Sequence, residues 1–139
     1  MKPELKNAFM EVAHVFAKLS KAERLKVGAI AVKDGRVLSI GYNGTPPGFD
    51  NACEDENGKT KIEVLHAEAN CIAKLAKCTE SSNDSIMFVT HSPCIECAKQ
   101  IFVAGIKEVY YDKEYRDITG ITLLKKLNVK TEQWKNDGK

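Results

Sequence analysis

His66-Ala67-Glu68 opens, and Ser92-Pro93-Cys94-Ile95-Glu96-Cys97 closes, the segment around which this chain is organised. Between them Leu65, Ala69, Ile72, Ala73 and Ala76 recur at helical spacing, and Ser81-Ser82-Asn83-Asp84 ends the pattern. Ile86 to Thr90 is an apolar run without polar alternation, as expected of a strand buried on both faces. A second helix follows, with Ser92 as its predicted N-cap, Pro93 at its first position and Gly105 as its stop. Helix, buried strand and helix in succession form the middle of an α/β domain.

The same stretch carries chemistry. Cys94 and Cys97 lie three apart at a helix start and so face the same way, and the exposed N–H groups there favour thiolates. His66 adds a neutral nitrogen donor. Two thiolates and one imidazole leave a fourth tetrahedral position open, the catalytic pattern for Zn²⁺. Glu68, two residues past His66, stands where a general base must stand to take a proton from an activated water. A lone C-x-x-C also occurs in redox pairs and in structural zinc sites, for which Cys53, Cys71 and His91 are the available fourth ligands. Cys71 would face away from His66, His91 reads as an exposed loop histidine, and a redox pair leaves His66-Ala67-Glu68 without a role. The joint pattern H-x-E…P-C-x-x-C is the signature of zinc-dependent nucleobase deaminases.

Outward from this core, Leu5, Phe9, Val12, Phe16 and Leu19 predict an amphipathic helix from about Pro3 to Leu19, in which His14 is a partly buried helix histidine. Two β-rich runs, Lys26 to Val32 and Arg36 to Tyr42, flank Asp34-Gly35 and predict an antiparallel hairpin. Asn43 to Asn51 is a turn-rich loop, and Glu54 to Lys61 reads as a solvated excursion, giving a connection of about twenty residues. Past Gly105, a strand (Ile106 to Tyr111), a helix (Asp117 to Leu127) and a last strand (Val129 to Trp134) are expected, with a frayed lysine-rich end. The order α-β-β-α-β-α-β-α-β implies a three-layer α/β/α sandwich: a mixed five-stranded sheet with an N-terminal antiparallel hairpin and helices on both faces.

Composition sets limits. The 139 residues fit a single domain spanning 1–139, and a formal net charge of +2 with interspersed acidic residues argues against a nucleic-acid binder. No apolar run approaches a membrane span, and the polar start Met1-Lys2-Pro3-Glu4 does not read as a secretory signal. Five cysteines without a disulfide-framework spacing fit a reducing compartment, with the cytoplasm as the expected location. Cys71 and Cys78 are expected to pack within their helix, and Cys53 to be unpaired.

Beyond the metal pattern, Gly41-Tyr42-Asn43-Gly44-Thr45-Pro46, His66-Ala67-Glu68-Ala69-Asn70, Ser92 to Lys99, Ala104 to Val109 and Tyr115-Arg116-Asp117 resemble the deoxycytidylate (dCMP) deaminases, over about Lys26 to Val129. The zinc motif alone is shared with cytidine, guanine and tRNA-adenosine deaminases; the Gly-Tyr-Asn-Gly-Thr-Pro loop narrows the choice. The resemblance implies a cytidine deaminase-like fold and hydrolysis of dCMP to dUMP and ammonia, with zinc held by His66, Cys94 and Cys97 and Glu68 as catalyst. It also implies that Asn43 contacts the deoxyribose, the Ala67 N–H the base carbonyl, the Ser92 carbonyl the leaving amine, and that Tyr115 borders the pocket. Phosphate is expected near Gly44-Thr45, with Lys26 and Arg116 as candidate cations. Pro47 replaces a basic residue common in such loops, and Ala69 replaces a leucine. Some relatives carry an additional structural zinc in the long loop; here that loop is short by comparison and has only Cys53 as a clear soft ligand, so one zinc per chain is expected. Relatives of this kind are commonly homo-oligomers, among them hexamers, regulated by dCTP with Mg²⁺; no residue read alone marks an interface or effector site. The competing readings are deamination of a free nucleoside or another base, and a non-catalytic zinc-stabilised interaction module.

Overall fold

The Asp34-Gly35 pair turns the chain as expected: both residues have positive φ (53° and 73°), joining strand β1 (Gly28–Lys33) to β2 (Arg36–Tyr42) in an antiparallel hairpin. In the computed structural model, which describes residues 1–136, this hairpin is one side of a five-stranded sheet. Strands β3 (Ile86–His91), β4 (Glu108–Lys113) and β5 (Lys130–Gln133) complete the order β2-β1-β3-β4-β5. β1 pairs antiparallel with β3, whereas β3–β4 and β4–β5 are parallel, so the sheet is mixed. Parallel neighbours need crossovers, here through helices α3 (Ile95–Val103) and α4 (Thr119–Lys126).

The inner strands are apolar at consecutive positions because both faces are covered. Ala29, Ala31, Met87, Val89, Val109 and Tyr111 point to one face, under α2 (Ala67–Leu75), α3 and α4. Ile30, Val32, Phe88 and Tyr110 point to the other, where α1 (Pro3–Ala17) packs Phe9, Met10 and Ala13 against them. Period-two alternation thus becomes two cores on one sheet. The buried stripe of α1 differs from the sequence expectation: Phe9, Met10, Ala13 and Ala17 are buried, while Leu5 and Leu19 are exposed. Ala13 and Ala17 lie where the α1 backbone meets β1 at Gly28, and a β-carbon on Gly28 would collide with the Ala13 carbonyl.

Two boundaries bear on the site. α3 begins two residues later than the Ser92-Pro93 signal suggests: Cys94 (φ −71°, ψ 171°) is its N-cap. Ser92 is buried, and its hydroxyl accepts the Tyr115 N–H at 2.9 Å instead of capping a helix. α2 likewise starts at Ala67, with His66 at its N-cap in extended conformation. The segment expected as a solvated excursion is ordered: Glu54 bridges Thr60, the Lys61 N–H donates to the Cys53 carbonyl at 2.7 Å, and Asp55 accepts the N–H groups of Asn57 and Lys59. The expected frayed C-terminus falls largely outside the described residues.

Candidate active site

α2 and α3 bring their N-termini together at the carboxyl end of β3, and close backbone packing fixes both. A β-carbon on Gly41 would collide with the Ala67 carbonyl, so β2 seats the first turn of α2 directly. A β-carbon on Gly120 would collide with the Pro93 carbonyl, so the start of α4 seats the Pro93-Cys94 backbone. The His66 and Cys94 side chains thus stand on rigid helix starts.

Their donors converge. His66 Nδ1 lies 3.2 Å from Cys97 Sγ and 3.5 Å from Cys94 Sγ. All three ligand atoms are within 4.8 Å of one another, the one such group of His, Cys, Asp and Glu among the described residues. Zinc bonds of about 2.3 Å to sulfur and about 2.0–2.1 Å to nitrogen at tetrahedral angles put N and S about 3.6 Å apart. The donor set therefore fits zinc in both chemistry and spacing. The environment separates the two thiols: hydrogen bonding from Cys97, and next from His66, holds Cys94 down at about 3, while Cys97 is pushed up as the donor of that bond and by burial. His66 is raised, first by its hydrogen bond with Cys94.

Glu68, in the first turn of α2, is buried (5 % exposed), and burial pushes its carboxyl up to about 7. Its partner in this burial is a cavity of about 630 Å³, within the roughly 300–1,000 Å³ of small-ligand sites. His66, Ala67, Glu68, Ser92 and Cys94 line it, together with Asn43, Tyr115 and Arg116. Tyr115 leans on His91, ring centroids 5.5 Å apart, and burial raises its hydroxyl to about 12.

The residues singled out from sequence therefore divide. Gly44, Thr45 and Lys26 are not among the cavity's lining residues. Gly44 is held in a backbone bridge with Leu65, and Lys26 is exposed. Asn43 does line the cavity, but its side chain also serves the backbone: Oδ1 accepts the Val27 N–H and Nδ2 donates to the Leu25 carbonyl, each at 2.8 Å. One amide hydrogen and one lone pair remain for a ligand. The rival metal ligands stand elsewhere. His91 contacts the Thr90 hydroxyl at 3.0 Å, Cys71 is buried against the Ser39 carbonyl, and Cys53 lines the cavity outside the donor cluster. His14 is paired with Asp112 at 2.7 Å. Cys78, expected to pack within its helix, is exposed beyond the end of α2.

Arg24, Glu54 and Thr60 also line the cavity, and their side chains were not singled out by sequence. The loop before β1 offers Lys21, Arg24 and Lys26 in one short run, and only the path of the backbone distinguishes them.

A three-donor metal cluster beside a buried carboxylate, at paired helix N-termini under a mixed sheet, defines a zinc hydrolase centre of the nucleobase-deaminase type. The model of the "Cytidine and deoxycytidylate deaminase zinc-binding region" matches residues 3–113. The chain belongs to that family. It is 51% identical, with a TM-score of 0.94, to the dCMP deaminase of cyanophage S-TIM5 solved with dCMP and dUMP, covering 96% of this chain and 98% of that one. The deoxycytidylate deaminase of Mycobacterium phage D29 is 33% identical over 81% of this chain and 98% of its own length. ComE operon protein 2 of Bacillus subtilis is 41% identical over 78% of this chain, which spans 59% of that relative's length.

Proposed function

We propose that this chain hydrolyses dCMP to dUMP and ammonia. The observation that carries the reading is the His66–Cys94–Cys97 donor cluster with the buried Glu68 carboxylate beside it, opening on one nucleotide-sized cavity. The likeness to the dCMP- and dUMP-bound cyanophage enzyme, over nearly the full length of both chains, supports the substrate.

Zinc, one per chain and held by His66, Cys94 and Cys97, makes water a usable nucleophile near neutral pH when bound. Glu68 takes the proton of the attacking water and returns it to the ring nitrogen of cytosine; it then takes the second proton from the hydroxyl now on the ring carbon and passes it to the amine, so that the carbonyl of uracil forms as ammonia leaves. The Ala67 N–H, at the first position of α2, holds the base carbonyl. The buried Ser92 carbonyl accepts from the departing amine, and Tyr115 closes over the base. Asn43 uses its remaining amide hydrogen and lone pair on the deoxyribose. Arg24 and Arg116, both lining the cavity and neither in an ion pair among the described residues, neutralise the 5′-phosphate.

No helix among the described residues is long and apolar enough to cross a membrane, and all five cysteines are free, which supports a cytoplasmic location. The low net charge supports a nucleotide substrate over nucleic acid. Assembly into a homo-oligomer, a hexamer among the options, and control by dCTP with Mg²⁺ belong to the same reading and are tested with it.

The test is ammonia release from dCMP, CMP, deoxycytidine, cytidine and adenosine, repeated with dCTP and Mg²⁺. The reading expects dCMP to be turned over fastest. Comparable rates on deoxycytidine and dCMP, or no ammonia from any cytosine compound, would overturn it.

A further inference from the structure

The loop that carries Arg24 has no regular structure of its own, yet it is tied down at every turn. Residues 18–27 connect α1 to β1, and their backbone groups must find partners outside a helix or ladder. The Ser20 hydroxyl donates to the Asn43 carbonyl at 2.7 Å and accepts the Ala22 N–H at 3.2 Å. Asn43 holds Leu25 and Val27. The two N–H groups between those anchors, of Glu23 and Arg24, are met by a single side chain from thirty residues away: Glu54 Oε2 accepts both at 3.1 Å, and Oε1 accepts Glu23 again at 3.2 Å.

From this geometry we infer that Glu54 is a positioning residue that sets the preference for a phosphorylated substrate. It does so by fixing the backbone from which the Arg24 side chain reaches the cavity. The inference rests on the dCMP reading above. Glu54 and Arg24 both line the cavity, and the ordered turn from Glu54 to Thr60 holds the carboxylate in place. The arrangement opposes simple electrostatics. A carboxylate near a phosphate subsite repels the ligand, so its retention there needs a compensating role, and accepting two adjacent backbone N–H groups is one. Because Oε2 accepts both N–H groups, an uncharged glutamine with its carbonyl oxygen in that place keeps the anchor, giving up only the second, longer bond from Glu23 to Oε1.

Two substitutions separate the anchor from the charge. Glu54→Ala frees the Arg24 loop and is expected to raise KM for dCMP about fivefold, with the loss in KM and not in kcat. The ratio of kcat/KM for dCMP to that for deoxycytidine falls by a similar factor. Glu54→Gln is expected to keep KM at or below the wild-type value. Arg24→Ala is expected to lower the ratio at least about tenfold, as for loss of a charged hydrogen bond, and adding Glu54→Ala should then lower it little further. A Glu54→Ala protein with unchanged or lower KM overturns the inference. So does equal loss on dCMP and deoxycytidine, or a Glu54→Gln protein as impaired as the alanine variant. A wild-type protein inactive on dCMP overturns the functional reading itself, and this inference with it.

Discussion

Gly120 stands so close to Cys94 that a β-carbon on it would come within 2.8 Å of the Cys94 carbonyl oxygen. The start of α4 thus presses on the residue that supplies a metal-binding thiol. Gly120→Ala must move either α4 or the Pro93-Cys94 backbone, at about 1–3 kcal/mol for an overpacked contact. The expected result is a lower melting temperature together with a reduced zinc content per chain. Full zinc occupancy with wild-type stability would show that the contact does not hold Cys94 in place.

Asn43 gives a second prediction, because it serves backbone and cavity at once. Removing its side chain leaves the Val27 N–H and the Leu25 carbonyl without partners, at roughly 1–3 kcal/mol for each group left unsatisfied. Asn43→Ala should therefore lose stability in urea unfolding and raise KM for dCMP. A variant that raised KM at wild-type stability would mean that Asn43 acts on the ligand alone.

The cysteines differ in exposure. Cys78 is exposed, whereas Cys71 is buried and burial pushes its thiol up to about 11. In the zinc-loaded protein a thiol reagent should modify Cys78 first. Chelation of the metal should then open the half-buried Cys94 to the reagent, ahead of the buried Cys97. Modification of Cys71 before unfolding would contradict its packed position.

His91 predicts an acid-side loss of stability. Burial holds it below the ordinary histidine value, with His14 and Lys113 acting in the same direction, Asp112 opposing them and the Tyr115 ring packed against it. A histidine with a depressed folded pKa binds fewer protons folded than unfolded. Its contribution is therefore present above about pH 6.5 and lost as the pH falls below that value. Urea unfolding at about pH 7 and about pH 5.5 should show a larger drop for the wild type than for His91→Gln. Equal drops would remove His91 as the cause.

Much of this molecule was legible in its sequence because its signals are local. The Asp34-Gly35 turn, the unbroken apolar strand from Ile86 and the stop at Gly105 each depend on a few adjacent residues. The metal donors were legible because chemistry demands their types and spacing. The misread features depend on contacts far apart in the chain. Ser92 gives up its capping role because Tyr115 claims its hydroxyl, and the buried stripe of α1 includes Ala13 and Ala17, where Gly28, lacking a β-carbon, lets the helix backbone approach the sheet. Arg24 enters the cavity in place of Lys26 through anchors supplied by Asn43 and Glu54, a relation that periodicity does not encode.

As a hydrolytic centre and not a structural staple, the metal cluster depends on Glu68 to move its protons. The most direct measurement is dUMP formation from dCMP by Glu68→Gln protein whose zinc content has been determined on the same sample. Zinc is expected to be bound as in the wild type, with turnover lowered by about 10²–10⁴ or more. Near-normal turnover with zinc in place would contradict that role of Glu68.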